Sequence, residues 1–193
     1  RLRYTDLTAG AHAVLAEQWV STNQLSGSSE AWIPVVITRR QATDPGLVST
    51  FVALMEPYGG SPAVLRTVRL PLENADGTPC GDAGVAAEVE LADGRKDVFV
   101  SADPDAPSTG HSLLVQPTHS IKLDGEACFV RYAETGALER VGICNAESIQ
   151  IGATMVKLRT RQQYVEIRFG GPEPTIVWGS DECVGEILLG GTK

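Results

Sequence analysis

Punctuation constrains this chain more than any other feature. Twenty glycines and eleven prolines break its 193 residues into short β-prone runs, and hardly one segment between them could sustain a long helix. Runs of Val, Ile, Thr and aromatics bounded by turn residues read as strands. The clearest lies at 85–91, where Val85, Ala87, Val89 and Leu91 alternate with Ala86, Glu88 and Glu90, predicting one buried and one solvated face. Asp93-Gly94 then predicts a tight primed hairpin turn with positive φ at both central residues, and Asp97 to Ser101 returns. A second hairpin joins 127–132 to 138–144 through Glu134-Thr135-Gly136. The spacing predicts an all-β fold, an antiparallel β-sandwich or two stacked antiparallel sheets.

Residues 12–19 are read as a strand and Ser21 to Glu30 as a loop. The strand at 32–40 carries Ile33, Val35 and Ile37 on one face, with Pro34 marking an edge or bulge. A turn at Asp44-Pro45-Gly46 leads to Ser49-Thr-Phe-Val-Ala-Leu-Met-Glu-Pro-Tyr-Gly-Gly60. That stretch is uncharged from Phe51 to Met55 and is expected to be a core strand delivering Tyr58 to a rim, with 63–70 as its hairpin partner. The acidic, Gly- and Pro-containing segment 73–82 reads as a surface connection between sub-sheets. Ala102 to Gly110 is a polar loop. Weak strand signals near 113–115 and 121–123 are followed by alternating patterns at 156–159 and 164–169 and short strands at 175–178 and 186–189.

Composition removes several function classes. A net charge of −8 opposes binding to polyanions such as nucleic acid. No run approaches the roughly 20 apolar residues that span a bilayer. Cys80, Cys128, Cys144 and Cys183 lack CxxC spacing and neighbouring histidines, so they make no zinc site. They read as free thiols, although their even number permits two disulfides. Gly-x-Ser-x-Gly is absent, and Gly190-Gly191 has no helix after it to cradle phosphate. No cofactor or metal is implied.

The order of four segments carries a resemblance: Glu30-Ala-Trp-Ile-Pro-Val-Val-Ile-Thr-Arg-Arg40, Ser49 to Tyr58, the 88–97 hairpin, and Phe129-Val-Arg-Tyr132 with Gly136 and Leu138-Glu-Arg-Val141. Spanning most of Leu15 to Ile151, it resembles the C-terminal β-sandwich region of heparinase II/III-like polysaccharide lyases. Residues 1–193 are expected to form a single β-rich module, open to division into two sub-sheets, with 1–72 continuing a larger β-sandwich and 83–193 forming a C-terminal β-sheet region. The resemblance implies an α-helical catalytic domain in cis, an acidic polysaccharide as ligand of the parent enzyme, β-elimination beside a uronate carboxylate, and a secreted, periplasmic or cell-surface location. The family's catalytic motifs match no position here, so the segment by itself is expected to be catalytically silent. The chain opens without Met on Arg1-Leu-Arg-Tyr4, which reads as the middle of a strand and thus as a piece of a longer protein.

Candidate carbohydrate contacts are Tyr58, Arg39, Arg40, Trp178 and His119. Tyr and Trp faces stack on sugar rings, and Arg forks onto carboxylates. Trp19 and Trp32 are further possible platforms, and Lys157, Arg159 and Arg161 form a basic stripe at every second residue. His12 and His111 have no ligand-like companions. Against each stands ordinary packing, a solvated face or a loop histidine. The rival readings are a free-standing carbohydrate-binding or adhesion-type sandwich and a purely structural interaction domain.

Overall fold

The computed structural model describes residues 1–24, 27–41, 43, 46–47, 49–103 and 113–190. Asp44 and Pro45 of the expected turn, His111, Gly191 and most of the loop over 102–110 lie outside the described residues. The fold is all-β, with stacked antiparallel sheets. The described residues include no α-helix, only a 3-10 turn at Asp181–Cys183.

Four strands stand apart from the rest. β1 (Leu2–Asp6) pairs with β4 (Ala53–Pro57), and β2 (His12–Gln24) pairs with β3 (Gly27–Arg39) in a second two-stranded ribbon. The Ser21 to Glu30 segment is therefore largely strand rather than loop, because the ladder continues to Gln24 opposite Gly27. The other nine strands form one sheet. They are β5 (Val64–Leu70), β6 (Val85–Leu91), β7 (Lys96–Ser101), β8 (Leu113–Gln116), β9 (Ile121–Tyr132), β10 (Leu138–Ile151), β11 (Thr154–Arg168), β12 (Thr175–Trp178) and β13 (Val184–Leu188).

This sheet becomes two layers because its three long strands turn a corner. On β10 the register slips between Ala146 and Ser148 against both neighbours, and on β11 the partners jump from Gln162 to Lys157. Extra residues of this kind bend a strand and let it serve two sheets. Asn145 adopts φ 43° at the corner, a left-handed conformation that asparagine tolerates. Gly125 is required there, since a Cβ would lie 2.3 Å from that of Ala146. Arg161 fastens the bend by donating to the Asn145 carbonyl at 2.6 Å and approaching Asp124 at 3.5 Å.

The first layer thus runs β5-β6-β7, then one half each of β9, β10 and β11, then β12. The second holds β8, the other halves and β13. Val98, Val130, Val141 and Ile167 of the first layer join Ile121, Leu123, Ile149 and Val156 of the second in a single core. All eight are fully buried, each side chain contributing about 1.5–3 kcal/mol on removal from water.

Three expectations need correction. First, the stretch Ser49 to Gly60 is not a core strand: Phe51 and Met55 are exposed, and the buried side chain of β4 is Glu56. Second, 63–70 is not its hairpin partner. The Glu56 carboxylate accepts from the amides of Ala63 at 2.6 Å and Val64 at 2.9 Å, which ends that approach as a side-chain cap, while β5 pairs with β6. Residues 64–70 consequently belong to the large sheet, and 73–82 is an excursion within it, tied to β8 by paired Glu73 and Val115. Third, Asp93-Gly94 is not a two-residue primed turn. Only Gly94 has positive φ, at 83°, and Leu91 donates to Arg95 around a three-residue loop, the type closed by a left-handed glycine. The 133–137 turn repeats that geometry with Gly136.

Candidate functional site

His119 occupies the mouth between the layers. The 117–120 turn precedes β9, and the bend in β9 brings its far end back, so that the His119 ring stacks on Tyr132 with centroids 5.3 Å apart. The His119 Nε2 lies 2.7 Å from Glu88 Oε2 on β6, and its amide donates to the Gln116 side chain at 2.8 Å. Gln116 is itself fully buried and donates to the Pro71 carbonyl. Lys96 Nζ stands 3.9 Å from the other Glu88 oxygen. Burial first, then the neighbouring Cys128 and Glu88, pushes the Tyr132 phenol up to about 12, so it acts as a neutral hydroxyl at physiological pH. Lys96, His119 and Tyr132 line a cleft of about 530 Å³ whose rim includes Thr118, Glu134 and Thr154, with Glu88 and Gln116 behind His119.

A carboxylate bonded to an imidazole can orient a base, but nucleophilic catalysis needs a hydroxyl or thiol on the imidazole as well. Among the described residues, none is bonded to the His119 ring. The arrangement is suited to clamping the two layers and to holding a polar ligand at the mouth. Among the described residues no group of three His, Cys, Asp or Glu side chains could hold a metal ion.

The alternation at 85–91 assigned Glu88 to solvent. Instead Ala86 enters the core and Glu88, on the same face, points between the layers, while Ala87 and Val89 on the other face are buried as well. Period-two reasoning finds two faces but does not say which one a second layer will cover. Glu88, Gln116 and Tyr132 were therefore missed. The one available signal was the run Cys128, Val130, Tyr132, which places Tyr132 at the end of a core-facing row.

The other proposed contacts do not assemble around His119. Tyr58 is half-buried beyond β4, exchanging backbone hydrogen bonds with Arg1. Arg39 is exposed, opposite His12 on the ribbon. Arg40 is engaged by an ion pair with Asp82, a carboxylate that Arg69 shares at 3.3 Å. The basic stripe is divided, because Lys157 and Arg159 are exposed whereas Arg161 is folded into the corner. Trp178 is 65% exposed and stands opposite Glu166, away from the mouth on the outer face of the first layer. The four cysteines are free, and Cys128 alone is buried, its thiol pushed up to about 12 by desolvation.

The chain matches no protein-family model, no curated protein and no solved structure. Among the described residues no helix is long and apolar enough to cross a membrane.

Proposed function

We propose that this chain is the non-catalytic β-sandwich portion of a heparinase II/III-like polysaccharide lyase, an exported enzyme that cleaves uronate-containing chains by β-elimination. In this reading it buttresses an α-helical catalytic domain in cis and borders part of the substrate path. The catalytic acid and base belong to the rest of the parent enzyme.

Uneven burial is the observation that carries the reading. Among the described residues every buried hydrophobic side chain falls between Leu72 and Phe169. On the β2–β3 ribbon, Val14 faces Ile37, Ala16 faces Val35 and Val20 faces Ala31, so that from Val14 to Val20 one face is aliphatic except for Gln18 opposite Ile33. Yet Val14, Ile33 and Ile37 remain exposed, and on the opposite face Leu15 is 81% exposed. Two-stranded ribbons are marginal in water, and a face this apolar is what a strand presents to a core. Further sheet from the parent protein, laid over residues 1–57, would supply that cover.

The test is the intact mass of the native gene product, followed by ultraviolet absorbance of unsaturated uronate product. A product far heavier than 20.5 kDa, active on a uronate polymer while the 193 residues alone are inert, is the expected result. A native product near 20.5 kDa overturns the reading. It would favour the free-standing carbohydrate-binding sandwich, which the exposure of Trp178 already supports.

A further inference from the structure

The outer face of the first layer carries a row of side chains unconnected with the His119 mouth. Phe99 of β7 stands opposite Phe129 of β9, Phe129 opposite Gly142 of β10, Gly142 opposite Glu166 of β11, and Glu166 opposite Trp178 of β12. Directly opposed residues of antiparallel strands share a face. The five positions thus form one line across five strands, roughly 19 Å long at about 4.8 Å per strand.

Glycine in the middle of this line has a use. A Cβ on Gly142 would lie 3.0 Å from the Tyr164 hydroxyl oxygen, so the missing side chain leaves a notch in which the Tyr164 ring rests. The Tyr164 hydroxyl donates to Glu166 at 2.8 Å, which holds the ring in place. Phe99 and Phe129 meet with centroids 5.1 Å apart. Between them and Tyr164 lies a shallow, apolar depression of about 240 Å³. Three aromatics of this strip stay open to solvent: Phe99 at 44%, Tyr164 at 38% and Trp178 at 65%.

A second row runs alongside, with Arg131 opposite Arg140 and Arg140 opposite Arg168. Arg131 forks onto Asp97 at 2.7 and 2.6 Å, and Arg140 reaches Glu166 at 3.0 Å. Arg168 is exposed and, among the described residues, makes no ion pair. Glu139, in the bulge, acts on Arg131 as well, so the row's three guanidinium groups are matched in number by three carboxylates although Arg168 pairs with none of them. The face is consequently neutral in a chain of net charge −8.

From this the geometry points to a binding strip for an acidic oligosaccharide, lying across the strands with its rings on Phe99, Tyr164 and Trp178 and a carboxylate on Arg168. The apolar faces of pyranose rings stack on aromatics while their hydroxyls meet the paired Arg, Asp and Glu side chains at the rim. The local neutrality removes the repulsion that the remainder of the chain would exert on a polyanion, and Arg168 supplies the attractive contact. The strip takes the ligand class of the proposed parent enzyme but stands on its own geometry: native mass decides the parent, glycan affinity decides the strip.

Isothermal titration of the 193-residue protein with hexagalacturonate, hexamannuronate and cellohexaose tests the inference. Binding of at least one hexauronate is expected, with Trp178→Ala and Tyr164→Ala each weakening it about five- to tenfold. Arg168→Ala should weaken hexauronate binding by a similar factor, remove most of its salt dependence, and leave any cellohexaose binding unchanged. Lys157→Ala, on an exposed position of the other layer, should change nothing. Heat from neither hexauronate overturns the proposal, as does affinity indifferent to both aromatic variants when thermal melts show them folded. Equal affinity for cellohexaose and the hexauronates overturns the assignment to acidic glycans.

Discussion

Residues 2–57 and residues 64–188 are built from the same kind of strand and are solved in opposite ways. The later region folds one sheet over itself at the Gly125–Ala146 corner, so each inward row meets another across a shared core. The earlier region forms two ribbons whose apolar residues meet nothing comparable, and its anchors to the sandwich are polar: Arg3 donating to the Val64 carbonyl, Glu56 accepting from the amides of Ala63 and Val64, and Arg40 on Asp82. Hydrophobic sequence is therefore not the same as hydrophobic core. What separates the two regions is whether a second layer is present to cover the strand.

The largest expected contrast is between truncations at matched chemistry. Ile121→Ala, in the fully buried core, should cost about 2–5 kcal/mol in urea unfolding, while Leu15→Ala on the ribbon should cost under ~0.5 kcal/mol. Equal costs would break the comparison. A Leu15→Ala or Ile37→Ala cost that rises to core magnitude in the full-length parent would sharpen it, by showing where the cover comes from.

Next in size is the corner itself. Gly125→Ala places a methyl group 2.3 Å from the Ala146 Cβ and should destabilise the sandwich by about 1–3 kcal/mol through overpacking. Amide exchange on β1–β4 should hardly respond. A uniform rise in exchange over both regions would mean that they unfold as one unit.

The mouth gives a smaller effect. His119→Ala removes the imidazole bonded to Glu88 and leaves a buried carboxylate short of a partner, an expected loss of about 1–2 kcal/mol. Replacing Glu88 by Gln in the same protein should recover part of that loss. Absence of any recovery in the double variant would show that the histidine acts by packing on Tyr132 rather than by holding Glu88.

The smallest expected change is local and driven by pH. Desolvation pushes the Glu56 carboxyl up, but the amides of Val64 and Ala63 and the Arg3 guanidinium outweigh it and hold the carboxyl below its ordinary 4.5. A carboxylate lowered in this way stabilises the fold above its unfolded value and loses that contribution as pH falls through the folded one. Protection of the Ala63 and Val64 amides, measured against their intrinsic exchange at each pH, should fall as the carboxyl protonates below its ordinary range, with the sandwich core unaffected. Glu56→Gln should show fast exchange there at every pH. Protection factors at these amides that stay constant through the acid range in the native sequence would remove Glu56 as the joint between the regions.

Much of the architecture was legible because β-structure is written locally. Gly94 and Gly136 mark loops that need a left-handed residue, and the alternations at 156–159 and 164–169 place Val156, Leu158, Val165 and Ile167 in the core, where they are found. Among the candidate contacts, His119 at the mouth and Trp178 on the outer face could be singled out from their surroundings in the chain. Their partners could not, since Glu88 lies 31 residues from His119 and Phe99, Gly142 and Trp178 come from different strands. The exposed run at 51–55 misled for the same reason, because an uncharged strand reads alike whether or not a layer covers it.

The sequence by itself determined the β class, most of the strands, and the glycines at 94 and 136 that close two of the turns, all of which follow from backbone sterics and side-chain pattern within a few residues. Only the tertiary structure decided that β9, β10 and β11 bend, that Glu88 faces inward and that five strands align one aromatic row. Those outcomes depend on register between distant segments, and a slip of one residue would turn every such side chain to the other face.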